Sequence, residues 1–143
     1  MPLETRWFVR TSLIWLVAAF ALGAIMLIAH AFGLTTPASM TILHTHIAFV
    51  GWLVNFVIGI ALWMLPGNRE RFPDTRGRYP SALVWAAFWL LNVGLALRVA
   101  IEPIADAHAP TLATEVLMTG SAGAQLAAIV AFAYVAWFRV RGV

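Results

Sequence analysis

Apolar residues run along the chain in four long blocks, roughly residues 7–32, 37–66, 80–101 and 110–138, separated by short polar connections. Each block supplies the ~20 residues that a helix rising 1.5 Å per residue needs to cross a bilayer core. Helix punctuation sits at the block edges. Thr36 before Pro37 reads as an N-cap followed by the first helical residue, Pro80 and Pro110 open the third and fourth helices, Gly33 closes the first, and Pro103 follows the end of the third. The pattern predicts an all-α integral membrane protein, a single four-transmembrane-helix bundle over residues 1–143.

Composition agrees and narrows the field. Of 143 residues, 62% are hydrophobic and 10% charged, and mean hydropathy is +0.87, whereas soluble domains carry about 25% charged residues. A soluble domain is excluded, and four spans leave no room for a catalytic domain outside the membrane. Cysteine is absent, which removes thiolate metal sites and c-type haem attachment and leaves His, Met and carboxylates as metal ligands.

The net charge of +3 does not signal nucleic acid, because the nine basic residues are all Arg and are scattered between apolar blocks. Membrane topology accounts for them better. Arg6 and Arg10 flank the first block, Arg69, Arg71, Arg76 and Arg78 fill the second connection, and Arg139 and Arg141 follow the fourth block. Cytoplasmic flanks collect such residues, so both termini are expected inside, in a multi-pass membrane chain. Ala29-His30-Ala31 has the look of a signal-peptide cleavage site, but the first apolar block is longer than a usual signal core. It is read as a span.

This topology puts every histidine on the outer side. His30 ends the first helix, His44 and His46 lie two to three turns into the second, Arg98 is one turn from the outer end of the third, and His108 is in the outer connection with Glu102, Asp106 and Glu115 nearby. An ionisable residue within a span costs about 2.5–3.5 kcal/mol on insertion scales and marks a functional site by default. Interfacial residues satisfied by water and head groups are the plainer reading, strongest for His108 and weakest for His44 and His46.

On a regular second helix, His44, Ala48, Gly51, Asn55 and Gly59 form one stripe of small and polar residues. Such a stripe admits a flat ligand or a neighbouring backbone, and helix packing with Asn55 bonding across an interface explains it equally. His46 lies ~200° around from His44 at 100° per residue, so one metal atom cannot take both. A bare zinc or copper ion wants three or four close ligands, for which no compact spacing exists. A b-type haem needs one or two axial ligands, an apolar slot and cations near its propionates. His44 or His46 can be proximal; His30, the other helix-2 histidine or Met118 can be distal; Arg98 can meet propionates. Lipid packing for Met118 and an Arg98–Glu102 pair are the structural alternatives.

The segment LHTHIAFVGWLVNFVIGIALWMLP resembles the second transmembrane helix of the haem–copper oxidase subunit I superfamily, above all its cbb-type branch, through His44-Thr45 and Asn55 eleven residues after the His. It is also similar to short four-helix proteins of bacteria and archaea with an H-x-H-x(4)-G-W segment, here His44, His46, Gly51 and Trp52, and a closing Trp63-Met64-Leu65-Pro66. The motif covers about 25 residues. The resemblance implies that His44 is an axial ligand of a low-spin haem b near the outer leaflet. It also marks what is missing: the chain has no adjacent His pair, so it lacks the residues of an oxidase binuclear centre and is not expected to be an enzyme alone. One-electron transfer in a respiratory chain is the leading expectation, with quinol, a periplasmic carrier or a respiratory complex as partner besides lipid. Haem-based gas binding or sensing is the second, and a cofactor-free or copper-binding assembly subunit the third. Small-residue stripes in helices 2 and 4 suit a homo-oligomer.

Overall fold

A computed structural model describes residues 1–140 and holds four long helices: α1, Leu3–Ala31; α2, Ala38–Met64; α3, Ser81–Ala107; and α4, Leu112–Arg139. A 3-10 turn at Pro73–Thr75 lies in the connection between α2 and α3, and there is no strand among the described residues. Each of the four helices is long and apolar enough to cross a membrane. The block pattern located them because length and hydropathy carry that information alone.

The helix ends are built as capped termini. After α1, Gly33 adopts a left-handed φ of 69°, its N–H donates to His30 and the Leu34 N–H donates to Ala29. That 6→1 and 5→2 pair is a Schellman closure, which glycine adopts without steric cost. At the start of α2 the Thr36 side chain makes no cap. Asp106 of α3 accepts from the Ser39 N–H at 3.2 Å instead, meeting the free donors and positive end of the α2 dipole from another helix. Thr111 caps α4 in a reciprocal bond pair with Thr114.

Pro110 precedes the Thr111 cap instead of opening α4, and two further features, the end of α3 and the middle of α2, differ from expectation. α3 continues through Pro103 to Ala107, where the proline was read as following the helix end. A proline φ is helical, and Pro103 forfeits one hydrogen bond near a terminus. The Asp106 contact to α2 supports the last turn. α2 is α-helical only at its two ends, and its middle, Ile47–Val54, is π-helical. Such wide turns frequently mark functional sites.

Packing is uneven. α1 lies along α2, α3 lies along α4, and α3 also touches α1 and α2, while α4 meets α3 and only the Asn55–Met64 part of α2. The main core joins Phe8 of α1, Ile58 and Leu62 of α2, Val84, Ala87, Phe88 and Leu91 of α3, and Ala128 and Val135 of α4. All of these belong to the half of the molecule nearer the arginine-rich connection. The histidines are in the other half, which is the more thinly packed.

At the arginine-rich end, Tyr79 is buried with no partner for its hydroxyl, and the Arg139 guanidinium stands 5.4 Å from its ring centre. Burial, reinforced by the negative charge of Glu4 and opposed by Arg78 and Arg139, pushes the phenol up to about 12 from 10. A raised acid pKa means that the folded state holds the proton longer than the unfolded state, so the contribution is whole below pH 10 and is lost as pH rises towards 12. Thermal unfolding in detergent is expected at lower temperature at pH 11.5 than at pH 9, and Tyr79→Phe should flatten that difference. An unchanged difference in the variant would remove Tyr79 as its cause.

Candidate functional site

His44 projects from α2 against α1. Its Nδ1 lies 3.1 Å from the Ala19 carbonyl oxygen, the distance of a hydrogen bond donated by the ring. A helix carbonyl can only accept, so the contact selects the tautomer that carries the proton on Nδ1 and leaves the Nε2 lone pair free. No group among the described residues hydrogen-bonds Nε2. The ring lies against Gly23, where an added Cβ would stand 3.0 Å from Cε1. A side chain at 23 would push the His44 ring off its present position.

The imidazole borders a cavity of about 460 Å³ between α1 and α2. Leu16, Ala19, Phe20, Gly23, Ala24 and Leu27 form the α1 wall, and His44, Ala48 and Trp52 form the α2 wall. The volume is that of a small-molecule site. His44 is the only titratable residue in the lining, so a ligand here meets a nitrogen donor in apolar surroundings.

The π-helical stretch explains why the stripe read from the sequence divides in two. Wider turns align residues four apart more closely than a 3.6-residue period does. His44, Ala48 and Trp52 therefore share the cavity face. Gly51, Asn55 and Gly59 share another, the packing face. A Cβ at Gly51 would stand 2.7 Å from Trp15 and 2.9 Å from Leu95, so this glycine serves close contact with α1 and α3. Asn55 and Asn92 exchange side-chain bonds at 3.0 and 3.2 Å, and the Trp15 indole donates to Asn92 at 3.0 Å. Asn55 also donates to the Val50 and Gly51 carbonyls, satisfying acceptors of the π-helical segment that face apolar surroundings.

The remaining candidates are not brought to His44. His46 Nδ1 bonds the Ile42 carbonyl one turn back on its own helix. His30 is exposed at the end of α1, seven residues and about 10 Å of helix rise beyond Gly23. Met118 is on α4, which touches neither α1 nor the first half of α2. Arg98 pairs with Glu102 at 3.0 Å, with both side chains largely buried, and does not border the cavity. His108 is exposed and bonds the Ile104 carbonyl. No three His, Asp or Glu among the described residues are grouped closely enough to share a metal ion.

Sequence reading missed Ala19 and Gly23. Their spacing of four in the run AAFALGA is a small-xxx-small signal for close helix approach, but nothing in it indicates that a histidine ring fills the approach. The chain matches no protein-family model, no curated protein and no solved structure.

Proposed function

We propose that the chain is a multi-pass membrane protein that binds b-type haem through His44 and transfers single electrons, in the manner of a respiratory electron carrier. The observation that carries this reading is the free Nε2 of His44 beside an apolar cavity, with Nδ1 held by the Ala19 carbonyl. A backbone acceptor on the far ring nitrogen fixes ring orientation and raises ligand basicity, as it does for metal-bound histidines generally. The small side chains of Ala24 and Ala48 beside the His44 ring leave room for a flat macrocycle, and Leu16, Phe20, Leu27 and Trp52 offer it apolar contacts. Haem iron cycling between ferric and ferrous states would supply the one-electron chemistry. The protein's own part is to present one nitrogen ligand, keep water from the metal edge and orient the group. In this reading the arginine-rich end and both termini face the cytoplasm, which puts the haem in the outer half.

The haem reading also fits the ligand count. With no group of three carboxylates and histidines, the described residues suit a cofactor that brings four of its own ligands better than a bare copper or zinc ion. Quinol, a periplasmic carrier or a respiratory complex would be the redox partner.

A reduced-minus-oxidised absorption spectrum of the purified protein is expected to show a Soret band and sharp α bands. Protein expressed with ample haem that shows no Soret band would sink the proposal. A second reading, gas binding at a five-coordinate iron, is favoured by the presence of one histidine, not two, on the cavity. A carbon monoxide-induced Soret shift in the untreated ferrous protein would select it.

Gly23 gives a further check. Gly23→Leu puts a side chain where the ring of His44 lies, so haem content is expected to fall at least tenfold while helix content is kept. Retention of full haem content would mean that the ring does not need its seat on α1.

A further inference from the structure

We propose that the connection between α2 and α3 is a binding surface for anionic phospholipid, taking a head group that carries both a phosphate and hydroxyls, as phosphatidylglycerol does. The proposal is independent of the haem reading and concerns the opposite end of the molecule. Residues 67–80 hold Arg69, Arg71, Arg76 and Arg78 against two acids, Glu70 and Asp74. All four arginines are exposed. Among the described residues, none of them forms an ion pair with either acid, and the side chains of Arg69, Arg76 and Arg78 have no hydrogen-bond partner. Three guanidinium groups thus stand without a counter-charge, and phosphate is an anion whose geometry their donor fork matches.

The connection is a folded platform. Phe72 is buried, the Asn68 N–H donates to the Gly77 carbonyl at 2.7 Å, and the Gly77 N–H donates to the Phe72 carbonyl at 2.8 Å. Arg76 and Gly77 reverse the chain with φ of 56° and 88°, and the Asn68 side chain ties the platform to the Phe138 carbonyl at the end of α4. The backbone that carries the arginines is therefore fixed before a ligand arrives, which lowers the ordering cost of binding.

Depth selects a lipid over a soluble anion. Trp63 and Trp137, in the last turns of α2 and α4, are 54% and 79% exposed, and Trp and Tyr at helix ends mark the head-group level of a bilayer. Arg71 joins the platform to that level: its guanidinium donates to the Tyr134 hydroxyl and stands 4.8 Å from the Phe138 ring centre. Asp74, Thr75, Arg76 and Arg78 surround a concavity of about 540 Å³. Its two guanidinium groups suit a phosphate. The Asp74 carboxylate repels a bare phosphate but accepts from the hydroxyls of a glycerol head group.

The test is native mass spectrometry of the full-length protein in detergent, titrated with phosphatidylglycerol or with phosphatidylcholine of the same acyl chains. A basic residue near an anionic surface contributes about fivefold in affinity, so wild type is expected to bind phosphatidylglycerol about tenfold or more tighter than phosphatidylcholine. Arg76→Gln/Arg78→Gln should abolish that preference. Arg6→Gln/Arg10→Gln, which removes the same charge from exposed positions on α1, should keep it. Equal losses in the two double variants would mean that overall charge, and not the platform, holds the lipid, and would overturn the proposal. Equal affinity of wild type for the two lipids overturns it without recourse to any variant. Displacement of phosphatidylglycerol by an equimolar amount of glycerol 3-phosphate overturns it as well, by assigning the surface to a soluble phosphate compound.

Discussion

His44→Ala is expected to purify as a folded four-helix protein with at least a tenfold loss of haem, while His46→Ala keeps its haem. The difference follows from where the two rings point. His44 leaves α2 towards α1, bonds the Ala19 carbonyl through Nδ1 and borders the cavity, whereas His46 turns back onto the Ile42 carbonyl of its own helix. Losing the hydrogen-bond acceptor on the far ring nitrogen of a ligating histidine costs about 10–100-fold in metal affinity, and loss of the ligand itself should cost no less. Folding should survive, because the only hydrogen bond lost is that to the Ala19 carbonyl, worth about 1 kcal/mol. Haem content per chain and circular dichroism of the two variants check both statements. Haem lost only from His46→Ala would move the site to the other side of α2.

How far this arrangement was legible in the sequence depends on the kind of interaction. The four helices follow from hydropathy and length, and the Gly33 closure from the conformational freedom of glycine, both of which are local properties. The restriction to one of His44 and His46 is also local, since two residues apart on a helix point to different sides. The division between the Ala48 and Gly51 faces was not legible, because the π-helical winding of Ile47–Val54 leaves no mark in the hydropathy pattern, and the Gly51–Asn55 face meets Asn92, 37 residues beyond Asn55 along the chain, which in turn accepts from Trp15 on another helix. The seat of His44 on Gly23 is likewise a contact between helices. Periodicity within one helix reports which residues share a face, and gives no information about what that face meets.

Arg139 was read as one of several charges marking the cytoplasmic side, and the structure gives it a second task. It is 3% exposed, and its guanidinium donates to the carbonyls of Leu62 at 2.9 Å and Pro66 at 3.1 Å and to that of Leu65. Those acceptors belong to the last turn of α2 and the residues just past it, where carbonyls lack intrahelical partners and the helix dipole is negative. One planar fork from the end of α4 thus ties down the end of α2, next to Asn68, which donates to the Phe138 carbonyl at 2.6 Å. Hydrogen bonds to a charged group contribute ~1.5–3 kcal/mol each. With partial replacement by water near the surface, Arg139→Met is expected to destabilise the fold by about 3 kcal/mol. Arg139→Lys should recover less than half of that, because an ammonium is a point charge without the fork geometry. Arg10→Gln, at an exposed position on α1, should stay within about 0.5 kcal/mol of wild type. The checking measurement is the midpoint of unfolding by sodium dodecyl sulfate in mixed micelles, followed by circular dichroism. If Arg139→Met and Arg10→Gln shift that midpoint equally, Arg139 acts only as a surface charge, and the tie between α2 and α4 contributes nothing to stability.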